Sequence, residues 1–202
     1  KAIDGNKSLG SGVALFKNGR IVKCLVQNNT YSYEGNCLGG GLGNDVGAAG
    51  DIMADSCIIR NNKASHGGGV RIRGTIQNSI IEGNLTEANA CGGVHLQGGR
   101  MYNCIIRNNT GKDTGGARLY GACEIINCLV YGNTGKGSIG GVSWENGGAA
   151  KIINNTIVYN NQEGTSNPSR CGFRAAKADA NAILEDLGKP GSLIFIDKEV
   201  PW

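Results

Sequence analysis

Apolar residues recur along this chain in runs of three to five, alternating with polar ones and closed by glycine or asparagine. Alternation of period two predicts strands, and strands this short cannot fold singly. One run recurs six times, as Cys24 to Asn29, Cys57 to Asn62, Ser79 to Asn84, Cys104 to Asn109, Cys128 to Asn133 and Thr156 to Asn161. From first residue to first residue the steps are 33, 22, 25, 24 and 28. A second run reads Gly-Gly-apolar-x-apolar, in Gly68 to Ile72, Gly92 to Leu96, Gly115 to Leu119 and Gly140 to Trp144. A third apolar position precedes each first residue by three: Ile21, Ala54, Ile76, Met101, Ile125 and Ile153. Three runs per repeat of about 25 residues predict an all-β fold, a right-handed single-stranded parallel β-helix of six to seven coils. Each run would pair with its equivalent in the next coil.

The alternation also sets an expected phase. Asn29, Asn62, Asn84, Asn109, Asn133 and Asn161 occupy one position and would form a hydrogen-bonded ladder at a bend. The small residues opening each run would point inward, making Cys24, Cys57, Cys104 and Cys128 reduced packing thiols, with bridging between adjacent coils as the alternative their spacing permits. The next residues, Leu25, Ile58, Ile80, Ile105, Leu129 and Ile157, would face outward as an aliphatic ridge, covered by the tail or an inserted loop or else marking a partner domain or dimer contact. Cys37, Cys91, Cys123 and Cys171 fall at turns.

Three pairs of motifs carry a resemblance: Gly69-Val70 with Ile81-x-x-Asn84, Gly93-Val94 with Ile106-x-x-Asn109, and Gly116-Ala117 with Val130-x-x-Asn133. They resemble the polymorphic outer membrane protein repeats of bacterial surface adhesins. The wider sequence, over roughly residues 10 to 175, is similar to right-handed parallel β-helix proteins of the pectin-lyase-like class. The resemblance implies the solenoid and an extracellular or outer-surface location.

Composition agrees with bends rather than helices. Glycine supplies 35 of 202 residues and asparagine 23, both poor in helix interiors, and collagen's strict period is missing. The net charge of +4 is scattered, so no nucleic-acid partner is implied. No apolar stretch approaches a membrane span, and no signal peptide is visible at Lys1. The cysteines match no zinc spacing. Residues 1–161 are read as the β-helix and residues 162–202 as a last coil with a short α/β cap of the same domain. Within that cap Arg174 to Leu187 reads as a helix and Ser192 to Ile196 as a strand.

Candidate chemistry lies on the second run. Residues after its apolar position face outward, giving Ala14, Gly43, Arg71, His95, Arg118, Ser143 and Arg174, with Arg73, Gln97, Tyr120 and Glu145 two residues on. Arg71, Arg73, His95, Gln97, Arg118, Tyr120 and Glu145 are the expected ligand-binding residues, suited to an anionic or neutral glycan. No catalytic residue, metal ligand or cofactor is assigned. A polyuronate lyase would need clustered carboxylates, and Glu145 and Asp45 are several coils apart. The expected function is a bacterial surface or secreted binding module. An acidic-polysaccharide lyase and a spacer stalk are the alternatives, and a neighbouring domain of a longer protein is the other expected partner.

Overall fold

A computed structural model describes residues 12–31, 38–44, 52–88, 90–146, 151–163, 172–175 and 194–196. These residues form a parallel β-solenoid with four faces and no helix among them. Sheet A stacks Val13–Leu15, Leu42–Asn44, Val70–Ile72, Val94–Gln97, Ala117–Tyr120, Val142–Glu145 and Phe173–Ala175. Sheet B stacks Arg20–Val22, Met53–Asp55, Thr75–Gln77, Arg100–Tyr102, Glu124–Ile126 and Lys151–Ile153. Sheet C stacks Leu25–Gln27, Ile58–Arg60, Ile80–Glu82, Ile105–Arg107, Leu129–Tyr131, Thr156–Val158 and Ile194–Ile196. Sheet D is narrower, with Lys63–Ala64, Leu85–Thr86, Thr110–Gly111, Thr134–Gly135 and Asn161–Gln162. The chain therefore builds five complete coils, with partial coils at either end, where six to seven were expected. Each coil has four strands rather than three, because the chain pairs again for two residues after the asparagine bend.

The bends follow from residues that tolerate a left-handed backbone. Between sheets B and C this position holds Lys23, Ser56, Asn78, Asn103, Asn127 and Asn154, all with φ from 52° to 55°. Between sheet C and the ladder it holds Asn28, Asn61, Gly83, Asn108, Gly132 and Tyr159. Asparagine and glycine carry most of these turns because their strain there is least. The Gly-Gly pair entering sheet A answers a different need. A Cβ on Gly93 would lie 2.4 Å from the Gly116 carbonyl oxygen and 3.0 Å from the Asn109 amide nitrogen. The backbone of one coil thus passes too close to the next for any side chain.

Inside, alternation fills the core. Sheet C contributes Val26, Ile59, Ile81, Ile106, Val130 and Ile157. Sheet B contributes Ile76, Met101, Ile125 and Ile152, and sheet A contributes pairs such as Val94 with Leu96 and Val142 with Trp144. Each fully buried aliphatic side chain stabilises the fold by about 2 kcal/mol. A coil lacking a neighbour forfeits part of that, as in the first coil, where Val13 and Ile21 are only partly buried.

The ladder forms as expected over most of its length. Asn29 Nδ2 donates to Asn62 Oδ1 at 2.8 Å, Asn62 to Asn84 at 3.0 Å, Asn84 to Asn109 at 3.0 Å and Asn109 to Asn133 at 2.9 Å. Each oxygen also accepts the backbone N–H of the preceding coil's asparagine. The final rung corrects the expectation: Asn133 donates to Asn160 at 2.9 Å, while Asn161 is exposed and pairs with Thr134 in sheet D. The last repeat is slipped by one residue. Leu129 pairs with Thr156 and Val130 with Ile157, so Asn155 stands beside Cys128. Asn155 secures the slip by accepting the Cys128 N–H at 2.8 Å and donating to the Ile125 carbonyl at 2.8 Å. Ile152 and Ile157 consequently point inward, where Ile153 and Thr156 were expected to do so.

The ridge is present with the same correction. Leu25 and Ile58 are exposed, Ile80, Ile105 and Leu129 are half-buried, and Thr156 takes the place expected for Ile157. Most of the segments expected to cover it lie outside the described residues. Cys57, Cys104 and Cys128 are buried free thiols, but Cys24 in the first coil is exposed. Cys91 and Cys123 are buried, and Cys37 and Cys171 lie outside the described residues. Arg174, expected to open a helix, instead lies in a strand of sheet A, and the rest of that helix lies outside the described residues. The expected final strand is found at Ile194–Ile196, extending sheet C beside Thr156–Val158.

Candidate functional site

Parallel, in-register stacking fixes the outer face of sheet A. Gly43 pairs with Arg71, Arg71 with His95, His95 with Arg118, Arg118 with Ser143 and Ser143 with Arg174. One row of side chains therefore repeats at a spacing of about 4.8 Å. A second row follows, with Gln97 beside Tyr120 and Tyr120 beside Glu145. Arg73 stands just past its strand, exposed, its backbone clamped by Asn44: the Arg73 N–H donates to Asn44 Oδ1 at 3.0 Å. All seven expected residues thus share one face.

The centre of the first row is buried rather than solvated. His95 is only 5% exposed, and Arg71 and Arg118 are half-buried on either side. Arg118 is neutralised. Its Nη2 lies 2.5 Å from Glu145 Oε2 and its Nη1 3.9 Å from Asp113 Oδ2. Glu145 is therefore engaged within the protein instead of standing free for a ligand. Tyr120 accepts a hydrogen bond from the Asn146 amide, and Gln97 Nε2 lies 3.4 Å from His95 Nε2. Within the row, Ser143 shares a hydrogen bond of 2.8 Å with Thr114.

Arg71 differs from Arg118 in having no carboxylate paired with it among the described residues. Among the described residues six buried side-chain atoms lack a hydrogen-bond partner, and four lie on this row: Arg71 Nε and Nη1, His95 Nδ1 and Arg118 Nε. Buried polar groups are nearly always paired, so four on one row mark it as incomplete. Electrostatics agree. Burial, followed by the Arg71 and Arg118 charges, pushes the His95 pKa down to about 3, leaving its ring neutral. Burial and Arg118 also lower Arg71, and burial with both guanidinium groups lowers His66. His66 was legible as a histidine but not as a neighbour of this row, because it comes from the turn before sheet A. Asp113 likewise reaches Arg118 from a turn, which strand alternation does not report.

Two shallow grooves lie elsewhere, along the turns beyond sheet D. One, of about 370 Å³, is lined by Thr86, Glu87, Lys112, Lys136 and Gly137. Ion pairs Lys63–Glu87 at 2.7 Å and Lys136–Glu163 at 4.0 Å balance that edge. Among the described residues no three His, Cys, Asp or Glu side chains converge as a metal site would require.

Compared with family models, curated proteins and solved structures, the chain matches none.

Proposed function

We propose that this solenoid is a non-catalytic binding module of a bacterial surface or secreted protein, and that the outer face of sheet A takes an anionic glycan. The observation that carries the reading is Arg71: a half-buried guanidinium with two unpartnered nitrogens, beside a neutral His95, and with no carboxylate paired to it among the described residues. Leaving such donors unpaired costs on the order of 1–3 kcal/mol each. A carboxylate or sulfate of a sugar would satisfy them through charge-assisted hydrogen bonds. The exposed Arg73 and Tyr120, flanking the row, offer charge and a stacking surface to adjoining sugar units. The resemblance to adhesin repeats and to pectin-lyase-like β-helices supports an extracellular setting.

A glycan array followed by titration calorimetry tests this. The protein is expected to bind uronate-containing or sulfated oligosaccharides over neutral ones, more weakly as salt rises. Arg71→Met is expected to weaken binding about tenfold or more. Equal binding by wild type and variant would remove this face from the function. New double-bond absorbance on a polyuronate would make the protein a lyase instead.

A further inference from the structure

Four cysteines occupy one position in the stack, and three of them share a geometry. The Cys57 Sγ lies 3.2 Å from the carbonyl oxygen two residues before it and 3.6 Å from that of Ile21 in the preceding coil. Cys104 and Cys128 repeat this, at 3.2 and 3.4 Å to their own coil and 3.7 Å to Ile76 and Met101 of the coil before. Each thiol thus leans toward the N-terminal neighbour. For Cys57 that neighbour holds Cys24, whose Sγ lies 3.2 Å from the Val22 carbonyl oxygen. The two sulfurs therefore flank the consecutive carbonyls of Ile21 and Val22. The Ile58 N–H donates to the Cys24 carbonyl at 2.9 Å and Leu25 pairs with Ile58, so the two Cα atoms stand one strand spacing apart. That spacing lies within the range a disulfide spans.

Access separates this pair from its twin. Cys104 and Cys128 are also in-register neighbours, but both are sealed in the core. Cys24 is exposed and Cys57 is buried directly beneath it.

We propose that Cys24 and Cys57 form a thiol-modification site for low-molecular-weight disulfides, in which Cys24 is the attacking thiol and Cys57 the resolving one. The Cys24 thiolate attacks one sulfur of the small disulfide. That S–S bond breaks, one small thiolate leaves, and a mixed disulfide forms on Cys24. Cys57 then gives up its proton to water and attacks the Cys24 sulfur. The mixed bond breaks, the second small thiolate leaves, and the Cys24–Cys57 bond forms. In total two electrons and two protons pass from the protein to the oxidant. Burial pushes the Cys57 thiol up, which lowers its thiolate fraction for the second step. The product would tie the first coil, where Val13 and Ile21 are only partly buried, to the second.

The test exposes the full, folded, reduced chain to glutathione disulfide, quenches with acid and maps the peptides by mass. The expected product is a Cys24–Cys57 bridge, with Cys104 and Cys128 alkylated only after unfolding. Cys57→Ser should accumulate a stable glutathione adduct at Cys24. Serine fits this position, since Ser79 already occupies it in the next coil and accepts the Cys57 N–H at 3.0 Å. A wild type that halts at the glutathione adduct would overturn the proposal. So would a bridge from Cys24 to any other cysteine, a Cys104–Cys128 bridge formed in its place, or an unmodified Cys24.

Discussion

Two rows of polar side chains run along this solenoid, one buried and the other half-buried. In the asparagine row, Asn109 donates to the Ile81 carbonyl and to Asn133, and accepts from the backbone and the side chain of Asn84. In the sheet A row, Arg71 and His95 leave nitrogens unpartnered. The stacking geometry is the same, yet one row is closed on itself and the other is open. An amide holds both a donor and an acceptor, so a stack of identical residues can satisfy itself. A guanidinium has donors alone, so a stack of arginines needs something from outside. The difference separates a row that satisfies itself from one that leaves donors open to a partner.

The sharpest way to break that contrast is to truncate one rung of the closed row. Asn109→Ala removes four hydrogen bonds and strands buried groups above and below it, so a loss of about 3 kcal/mol or more is expected in urea unfolding. The next effect comes from the open row and depends on pH. His95 is held neutral in the fold, its pKa pushed down to about 3, whereas in the unfolded chain it protonates near 6.5. Below pH 6.5 the unfolded state therefore binds the extra proton, so stability falls as pH falls through that window. Between pH 7 and pH 5 the loss from His95 is about 2 kcal/mol. His95→Gln should flatten the stability–pH curve by that amount, and an unchanged slope would mean that His95 already carries its proton. Smaller and opposite in sign, Arg71→Met should raise stability by about 1 kcal/mol while weakening anion binding, because it removes a half-buried charge that none of the described residues neutralises. Asn161→Ala should cost less than about 0.5 kcal/mol, since the ladder runs through Asn160. A large loss there would restore the register first expected.

That last comparison also marks where the sequence was legible. Five of six coils could be phased from the Gly-Gly and x-x-Asn spacing, because buried Ile59, Ile81, Ile106 and Val130 recur at one offset from the asparagine. In the sixth coil two doublets, Asn154-Asn155 and Asn160-Asn161, fit either register. By conformational preference alone Asn160 would take the left-handed bend. The fold places Tyr159 there instead, φ 51°, and uses Asn155 and Asn160 to bond the coil below. Hydrogen bonds across coils outweighed a local backbone preference, and such bonds have no signature along the chain. The candidate face was legible as far as strand pairing dictates it: Arg71, His95 and Arg118 do stand in one row. The Arg118–Glu145 ion pair, the reach of Asp113 and the burial of His95 were not, since they depend on side-chain reach and on turns.

Every amide in the asparagine row points the same way. From Asn29 to Asn133 each nitrogen donates toward the C-terminal end. The row therefore has a sense: each amide oxygen looks back along the stack and each nitrogen reaches forward, as far as the buried Asn160, whose own nitrogen donates to the Val130 carbonyl at 3.0 Å. Like a polymer, the row reads differently in its two directions, and single side chains write the difference.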